Sequence, residues 1–421
     1  MSTTSSDPKV YSITGDIASP FTSEELDRYG YTVMNMGPQH PSTHGVLRLV
    51  LTLDGERVVH AEPDIGFLHT GIEKTAEVKT YNQALTLTDR MDYLAPLSNN
   101  LCYSLAVEKL LGVQIPERVS HIRVLLAELM RISSHMVWLG TSGLDAGAMS
   151  MFLYCFQDRE RVLDLFETIS GVRMMTSYIV PGGLMADLTD GFLEQVQEFL
   201  DYFEPHIEMY DGLLTGNSIW KGRTKGVGVL SKEMARDYLA TGPVARASGI
   251  DWDIRRDMPY AAYQDYDFKI PVRQDGDAQA RYIVRMAEVV ESVKIIKQAL
   301  KKIIPSTAHN RQPFRTDNRK VVPPPKWEIA VSMESLIHHF KLFTEGYSPS
   351  PGEVYQRVES PRGELAFHMV SDGSNKPYRM HARTPSFPHV QLLQPLLKGH
   401  LLADVVVILA SIDFVLGDVD R

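Results

Sequence analysis

Long stretches of helical periodicity, several of them closed by glycine, limit what this chain can fold into. Leu97–Leu111 ends at Gly112. Pro116 stands where the next helix should begin. From there Ile122, Leu125, Leu126, Leu129, Ile132, Met136 and Leu139 recur at helical spacing as far as Gly140. Met149–Ser170 is closed by Gly171, and Ala278–Ile303 sets Ile283, Met286, Val290, Val293, Ile296 and Leu300 on one face. Proline suits a first helical turn and glycine suits the residue past the last. A further helix, Phe192–Tyr210, should break near Pro205, because proline removes a hydrogen bond inside a helix. Apolar stripes need covering, and short connections favour antiparallel neighbours, so the centre of the chain reads as a helical bundle.

Strand-like segments flank it. Tyr31–Asn35, Leu47–Leu53 and Arg57–Ala61 alternate, and Asp54-Gly55 is a hairpin signal. Between the first two lies Met36–Gly45, with Gly37, Pro38, Pro41 and Gly45 around His40 and His44. That composition makes a stiff loop presenting two imidazoles. After a polar, Pro-rich stretch, Asn310–Pro325, a helix is expected at Ser332–Phe343 and strands at Gly352–Val370 and Pro377–Arg383. Leu402–Leu416 could be helix or strand. The expected fold is α+β, mainly a helical bundle with a small N-terminal antiparallel sheet and a C-terminal mixed region. Its divisions are a flexible tail at 1–25, a β region at 26–88, the bundle at 89–309, a linker at 310–325 and the mixed region at 326–421.

Composition excludes several functions. The formal net charge is −9, which argues against nucleic acid as a partner. The two cysteines, Cys102 and Cys155, stand apart, so thiolates of this chain cannot hold an iron–sulfur cluster or zinc. No basic segment followed by an apolar run opens the chain, so no secretory signal is expected. Leu401–Leu416 is interrupted by Asp404 and Asp413 and is too short to span a bilayer. Membrane association would therefore go through partners. Gly226-Val227-Gly228 lacks a third glycine, and His338-His339, adjacent on a helix, do not share a face.

Three polar patches can carry chemistry. One is the loop with His40 and His44. Another is Thr88–Pro96, where Tyr93 sits among Asp89, Arg90 and Asp92. The third is Leu139–Asp145, read as a glycine-broken helix end carrying one carboxylate. A phenol, an imidazole and a carboxylate together can hydrogen-bond and protonate a polar ring. Each also has a structural reading: a satisfied turn histidine, a half-buried tyrosine, a helix-terminal aspartate. The residues alone leave both open.

Met36–Arg48, Gly66–Lys74, Thr88–Tyr93, Ser104–Leu111 and Gly417–Arg421 resemble the family of D-type subunits of bacterial NADH:quinone oxidoreductase, respiratory complex I. The resemblance runs from about residue 30 to residue 421. That family is related to the large subunit of nickel–iron hydrogenases, which implies the same fold. Hydrogenases hold their metals with Arg-x-Cys-Gly-x-Cys and a terminal Asp-Pro-Cys-x-x-Cys-x-x-His. The matching segments here are Arg90–Ala95 and Asp413–Arg421, and the four cysteine places are taken by Asp92, Ala95, Val415 and Asp418. This set cannot hold nickel and iron through soft thiolates.

The resemblance implies that the vacated site receives a quinone headgroup. His44 and Tyr93 would be its ligands, Asp145 the partner of His44, and His40 and Val415 further quinone-binding residues. Quinone would be the substrate, with no cofactor held by this chain. Electrons would come from an iron–sulfur cluster in an adjacent small subunit, and a membrane subunit would carry the quinone channel. The implied location is the cytoplasmic side of the inner membrane, as a peripheral part of a proton-pumping complex. Two rivals resemble it: a scaffold subunit without quinone contact, and the related ferredoxin-fed photosynthetic complex. An active hydrogenase is set aside by the missing cysteines.

The chain departs from many relatives at two places. Leu68-His69-Thr70-Gly71 stands where they have Leu-His-Arg-Gly, and Met175 stands where they have a histidine thought to titrate with cluster reduction. Methionine cannot titrate. A potentiometric titration of the neighbouring cluster should therefore show weak pH dependence through this route. A steep dependence traced to this chain's side of the cluster would contradict that reading.

Overall fold

The computed structural model describes residues 20–41, 45–306 and 311–421. An antiparallel sheet in the order β1-β2-β3 comes first: β1 Thr32–Met36, β2 Arg48–Asp54 and β3 Arg57–Asp64. Asp54 pairs with Arg57 across the Asp-Gly turn. Alternation suggested a half-exposed β2, but it is buried from Arg48 to Leu53. It is the central strand, covered on both faces, and Arg48 is admitted by its pairing with Asp64 at 2.9 Å. Ser23–Tyr29 is already helical, inside the stretch read as loose tail, because Thr22 and Glu25 form a capping box.

The bundle consists of α1 Pro96–Leu111, α2 Glu117–Asp145, α3 Met149–Ser170, α4 Phe192–Tyr210 and α5 Ala278–Lys302. Helices α1 and α3 end at Gly112 and Gly171, both left-handed, as the sequence signals. Helix α2 passes through Gly140 and Gly143 to Asp145, so the expected glycine break is corrected. A Cβ added at Gly140 would stand 3.2 Å from Cys155 Cβ, and one at Gly143 would stand 2.9 Å from Met151 Cβ. These glycines let α3 approach α2 and do not end the helix. Helix α4 is likewise continuous through Pro205; Val196, Phe199, Leu200 and Phe203 keep its inner face packed, and irregularity comes later, in a π-helical turn at Asp211–Thr215. Arg173–Tyr178, which follows α3, lies in loop outside any helix or strand.

Beyond the bundle follow α6 Met333–Thr344, a second antiparallel sheet of β4 Gly352–Ser360, β5 Gly363–Ser371 and β6 Arg379–Arg383, then α7 Leu402–Ile412 and α8 Leu416–Asp420. The ambiguous apolar run is thus α7 and its continuation. Leu49, Leu51 and Leu53 of β2 share one core with Ile408 and Leu409 of α7 and Leu416 and Val419 of α8. The last residues of the sequence are held against its first sheet.

Helix α5 was read by its apolar stripe, yet Val290 is exposed while Arg281, Arg285, Glu288 and Ser292 are buried. They are admitted because they are paired. Arg246 reaches Glu288 at 2.6 Å, Glu359 at 2.8 Å and Asp253 at 3.2 Å. Arg255 spans Asp253 at 2.7 Å and Glu128 at 3.3 Å, and Glu128 also accepts from Tyr263 and Ser292. Burial and the neighbouring Asp253 push Glu359 up to about 7, against the pull of Arg246.

Replacing Arg246 by methionine should therefore cost about 3–5 kcal/mol in denaturant unfolding, the penalty for unpaired buried charge. Glu359 binds more protons folded than unfolded between the ordinary carboxylate range and about 7, so its contribution is lost upward through that window in the native protein. Without Arg246 to lower it, Glu359 holds its proton further, so the loss should deepen as pH rises past about 7. A pH-independent loss would contradict this account.

Candidate functional site

The approach to α1 is a tight turn fixed by two asparagines of its first turn. Asn99 donates to Thr88 O at 2.9 Å and Asp92 O at 3.2 Å, and Asn100 donates to Asp89 Oδ1 at 2.6 Å. This holds Tyr93 half-buried beside the fully buried start of α1. Gly417, in the first turn of α8, packs against it. A Cβ there would stand 3.1 Å from Tyr93 Cδ1 and 3.0 Å from Arg90 O, and closer still to Met91 O. Only glycine permits this approach.

The histidine loop arrives from the other side. Gly37 and Gly45 both have positive φ, and His40 and Gly45 form an antiparallel bridge that closes the loop. His40 is exposed, and His44 lies outside the described residues. A Cβ on Gly45 would stand 3.2 Å from Leu416 Cδ1. The loop's shoulder and Tyr93 therefore rest on consecutive residues, Leu416 and Gly417. Val415, just before them, is buried, and its N–H donates to Ser386 Oγ at 3.3 Å. Asp145 is half-buried at the last residue of α2, as part of an unbroken helix.

Behind Tyr93 lies a buried ionic cluster. Arg362, on the turn between β4 and β5, donates to Asp92 Oδ2 at 2.6 Å, Ser134 Oγ at 3.2 Å and Asp413 Oδ1 at 3.3 Å. Asp418 Oδ2 accepts the Ser386 N–H at 3.1 Å. Burial pushes Asp92 above the usual carboxylate range, with Arg362 opposing and Asp413 adding to the rise. Burial, then Asp92, pushes Asp418 up to about 7. Burial opposes the charge on Arg362, yet Asp413 and Asp92 outweigh it and hold the guanidinium cationic. Burial also raises the Tyr93 phenol, while Arg362 pulls it down and Asp92 pushes it up.

Asp92, Val415 and Asp418 are thus drawn into one region with Tyr93. The sequence did not point to Arg362, Ser134 or Ser386. Arg362 is one residue in a strand–strand turn, and no spacing rule links it to Asp92 or Asp413. Two lone carboxylates in a chain this polar inside were the available signal that a cation must meet them. Among the described residues no group of three or more His, Cys, Asp or Glu side chains is arranged to hold a metal ion. A guanidinium standing between Asp92 and Asp413 suits those carboxylates to each other's neutralisation, not to soft-metal ligation.

Residues 145–421 match the model of the family described as respiratory-chain NADH dehydrogenase, 49 Kd subunit. Similar chains are D-type subunits of NADH-quinone oxidoreductase. The D 2 chain of Roseiflexus sp. (strain RS-1) is 58% identical over 389 residues, covering 92% of this chain and 93% of that one. The D 1 chain of Herpetosiphon aurantiacus is 54% identical over 407 residues, 96% of each. The corresponding chain of Geobacter sulfurreducens is 52% identical over 388 residues, 92% of this chain and 98% of that one. The motifs around Tyr93 and in α8 are carried by a chain that belongs to the family of the respiratory-chain NADH dehydrogenase 49 Kd subunit.

Proposed function

We propose that this chain forms the headgroup end of a quinone site in a respiratory NADH:quinone oxidoreductase, with Tyr93 as one ligand of the quinone oxygens and His44 as the other. The observation that carries this is the meeting of the histidine loop and Tyr93 on Leu416 and Gly417. The loop's shoulder at Gly45 and the half-buried phenol converge there on one short helix, over a buried cluster of charged groups. The fold it implies is that of the nickel–iron hydrogenase large subunit.

Quinone reduction takes up two electrons and two protons. The electrons are supplied by an iron–sulfur cluster of a neighbouring small subunit, since this chain has no thiolate set for one. This chain's part is to bind, orient and protonate. Burial keeps Tyr93 a neutral phenol, able to donate an O–H to a carbonyl oxygen. Arg362 behind it favours the phenolate as that proton leaves. His44 offers the second donor and Asp145 favours its charged form, as the family resemblance implies; His40 and Val415 line the approach. No helix among the described residues is long and apolar enough to cross a membrane. The proposed location is therefore peripheral, on the cytoplasmic side of the inner membrane, held by a membrane subunit that carries the quinone channel. Coupling to proton translocation would begin with the charge left on this site.

Tyr93→Phe tests the reading with little change in shape. In the assembled complex, NADH oxidation by a soluble artificial acceptor should persist, while quinone reduction falls about tenfold or more, the scale of a lost proton donor. A normal quinone rate would make the chain a scaffold.

A further inference from the structure

The charges behind Tyr93 do not balance. Asp92, Asp413 and Asp418 are all buried, and among the described residues only Arg362 makes ion pairs to any of them. Arg285 is the next guanidinium; it donates to the carbonyls of Ser411 and Ile412 and divides its field between Asp413 and Glu288. Even with Arg285 counted, three carboxylates face two cations among the described residues.

The hydrogen bonds say which carboxylate is in excess. Asp92 is held by Arg362 and by the Leu94 N–H, and Asp413 is held by Arg362. Asp418 takes hydrogen bonds from the Ser386 N–H and hydroxyl and has no cation hydrogen-bonded to it. Among the described residues its Oδ1 has no partner, and neither has Asp413 Oδ2 or Arg362 Nε. An ionised carboxylate inside protein, held by one serine with no cation bonded to it and one oxygen unpartnered, recovers little of its lost hydration. As an acid, the same side chain turns its orphaned oxygen into a donor.

The other elements packed on α8 do not supply the missing charge. His389, on the helix Ser386–Gln391, is pushed down to about 3 by burial and then by Arg383 and Arg285, so it is neutral. Glu73 is engaged with Arg379, His381 and Arg421. Asp420 accepts the Gly66 and Leu68 amides, and its carbonyl meets His69 Nδ1.

We propose that the Asp92–Asp413–Asp418 cluster stores one dissociable proton at neutral pH, on Asp418 and shared with Asp92, and that this proton sets how readily Tyr93 gives up its own. This rests on the quinone-site reading for its consequence. Asp418, pushed up to about 7, is poised to lose the proton just above neutrality. Its loss adds a negative charge beside Arg362, the group that favours the Tyr93 phenolate. The phenol then becomes a poorer donor, and quinone reduction slows as pH rises. Asp418 is a positioning residue: it acts through Arg362 and Asp92 on Tyr93.

Two readouts on the assembled complex test this. Infrared difference spectra across neutral pH should show protonated-carboxyl absorption that titrates, with Glu359 contributing to it; Asp418→Asn should remove one component of it while Asp418→Glu keeps that component shifted. In parallel, kcat for quinone reduction should lose its alkaline limb, about tenfold per pH unit for a one-proton step, in Asp418→Asn and retain it in Asp418→Glu. If Asp418→Asn does not assemble, Asp92→Asn must change the same band and limb. An unaltered band and limb in these variants, or no titrating band in the native complex, overturns the proposal. Failure of the quinone reading looks different: Tyr93→Phe then reduces quinone normally, whether or not the carboxyl band titrates.

Discussion

One guanidinium with almost no solvent contact, that of Arg362, joins pieces of chain that lie hundreds of residues apart. It binds the turn before α1 through Asp92, the middle of α2 through Ser134 and the segment before α8 through Asp413. Buried ion pairs seldom stabilise a fold more than well-packed apolar side chains would. Their effect is directional: a planar fork with fixed donors accepts few arrangements of its partners. The placement of Gly417 under Tyr93 follows from that restriction, because α8 starts only a few residues after Asp413. A Leu or Met at 362 could fill the volume and would fix neither the angle nor the register of α8.

That arginine is one end of a larger polar interior. Arg285 faces Asp413 and Glu288, Glu288 meets His135 and Arg246, and Arg246 reaches Glu359 and Asp253. Charges so placed are poorly screened, so a change at one is felt by its neighbours over several ångströms. His135 is lowered by burial despite its contact with Glu288, and Glu359 is raised. The interior therefore holds Glu359, poised near neutrality, as well as fixed ions. A site that must take up protons while remaining dry gains from that arrangement.

Much of the fold was legible because hydrophobic period and glycine position carry it. The bounds of α1 and α3 and the Asp54-Gly55 hairpin follow from local chemistry, and so do the strands of the second sheet. Two of the misreadings share one cause: the meaning of a residue depended on a partner on another element. Gly140 and Gly143 read as a helix end until α3 is laid beside them. The inner face of α5 read as apolar, when arginines and glutamates occupy its deepest positions beside partners from other elements. Of the site, Tyr93 and the flanks of the histidine loop could be read, and Asp92 and Asp418 were noticed as replacements for cysteines. Arg362 could not, since a lone basic residue in a strand turn resembles any solvated charge. His44 lies outside the described residues, so its reading still rests on resemblance alone.

Exchanging thiolates for carboxylates changes more than metal affinity. A thiolate pair bound to metal keeps its charge across the physiological range, because coordination keeps it deprotonated. Carboxylates crowded around one guanidinium have no such anchor. Their charge is set by mutual repulsion and burial, and it crosses zero near neutrality for whichever member lacks a cation. Asp418 is that member here, with Ser386 as its donor, no cation hydrogen-bonded to it and an orphaned oxygen. On the quinone-site reading, carboxylates in the turn before α1 and in the terminal helix make this a place that regulates a proton.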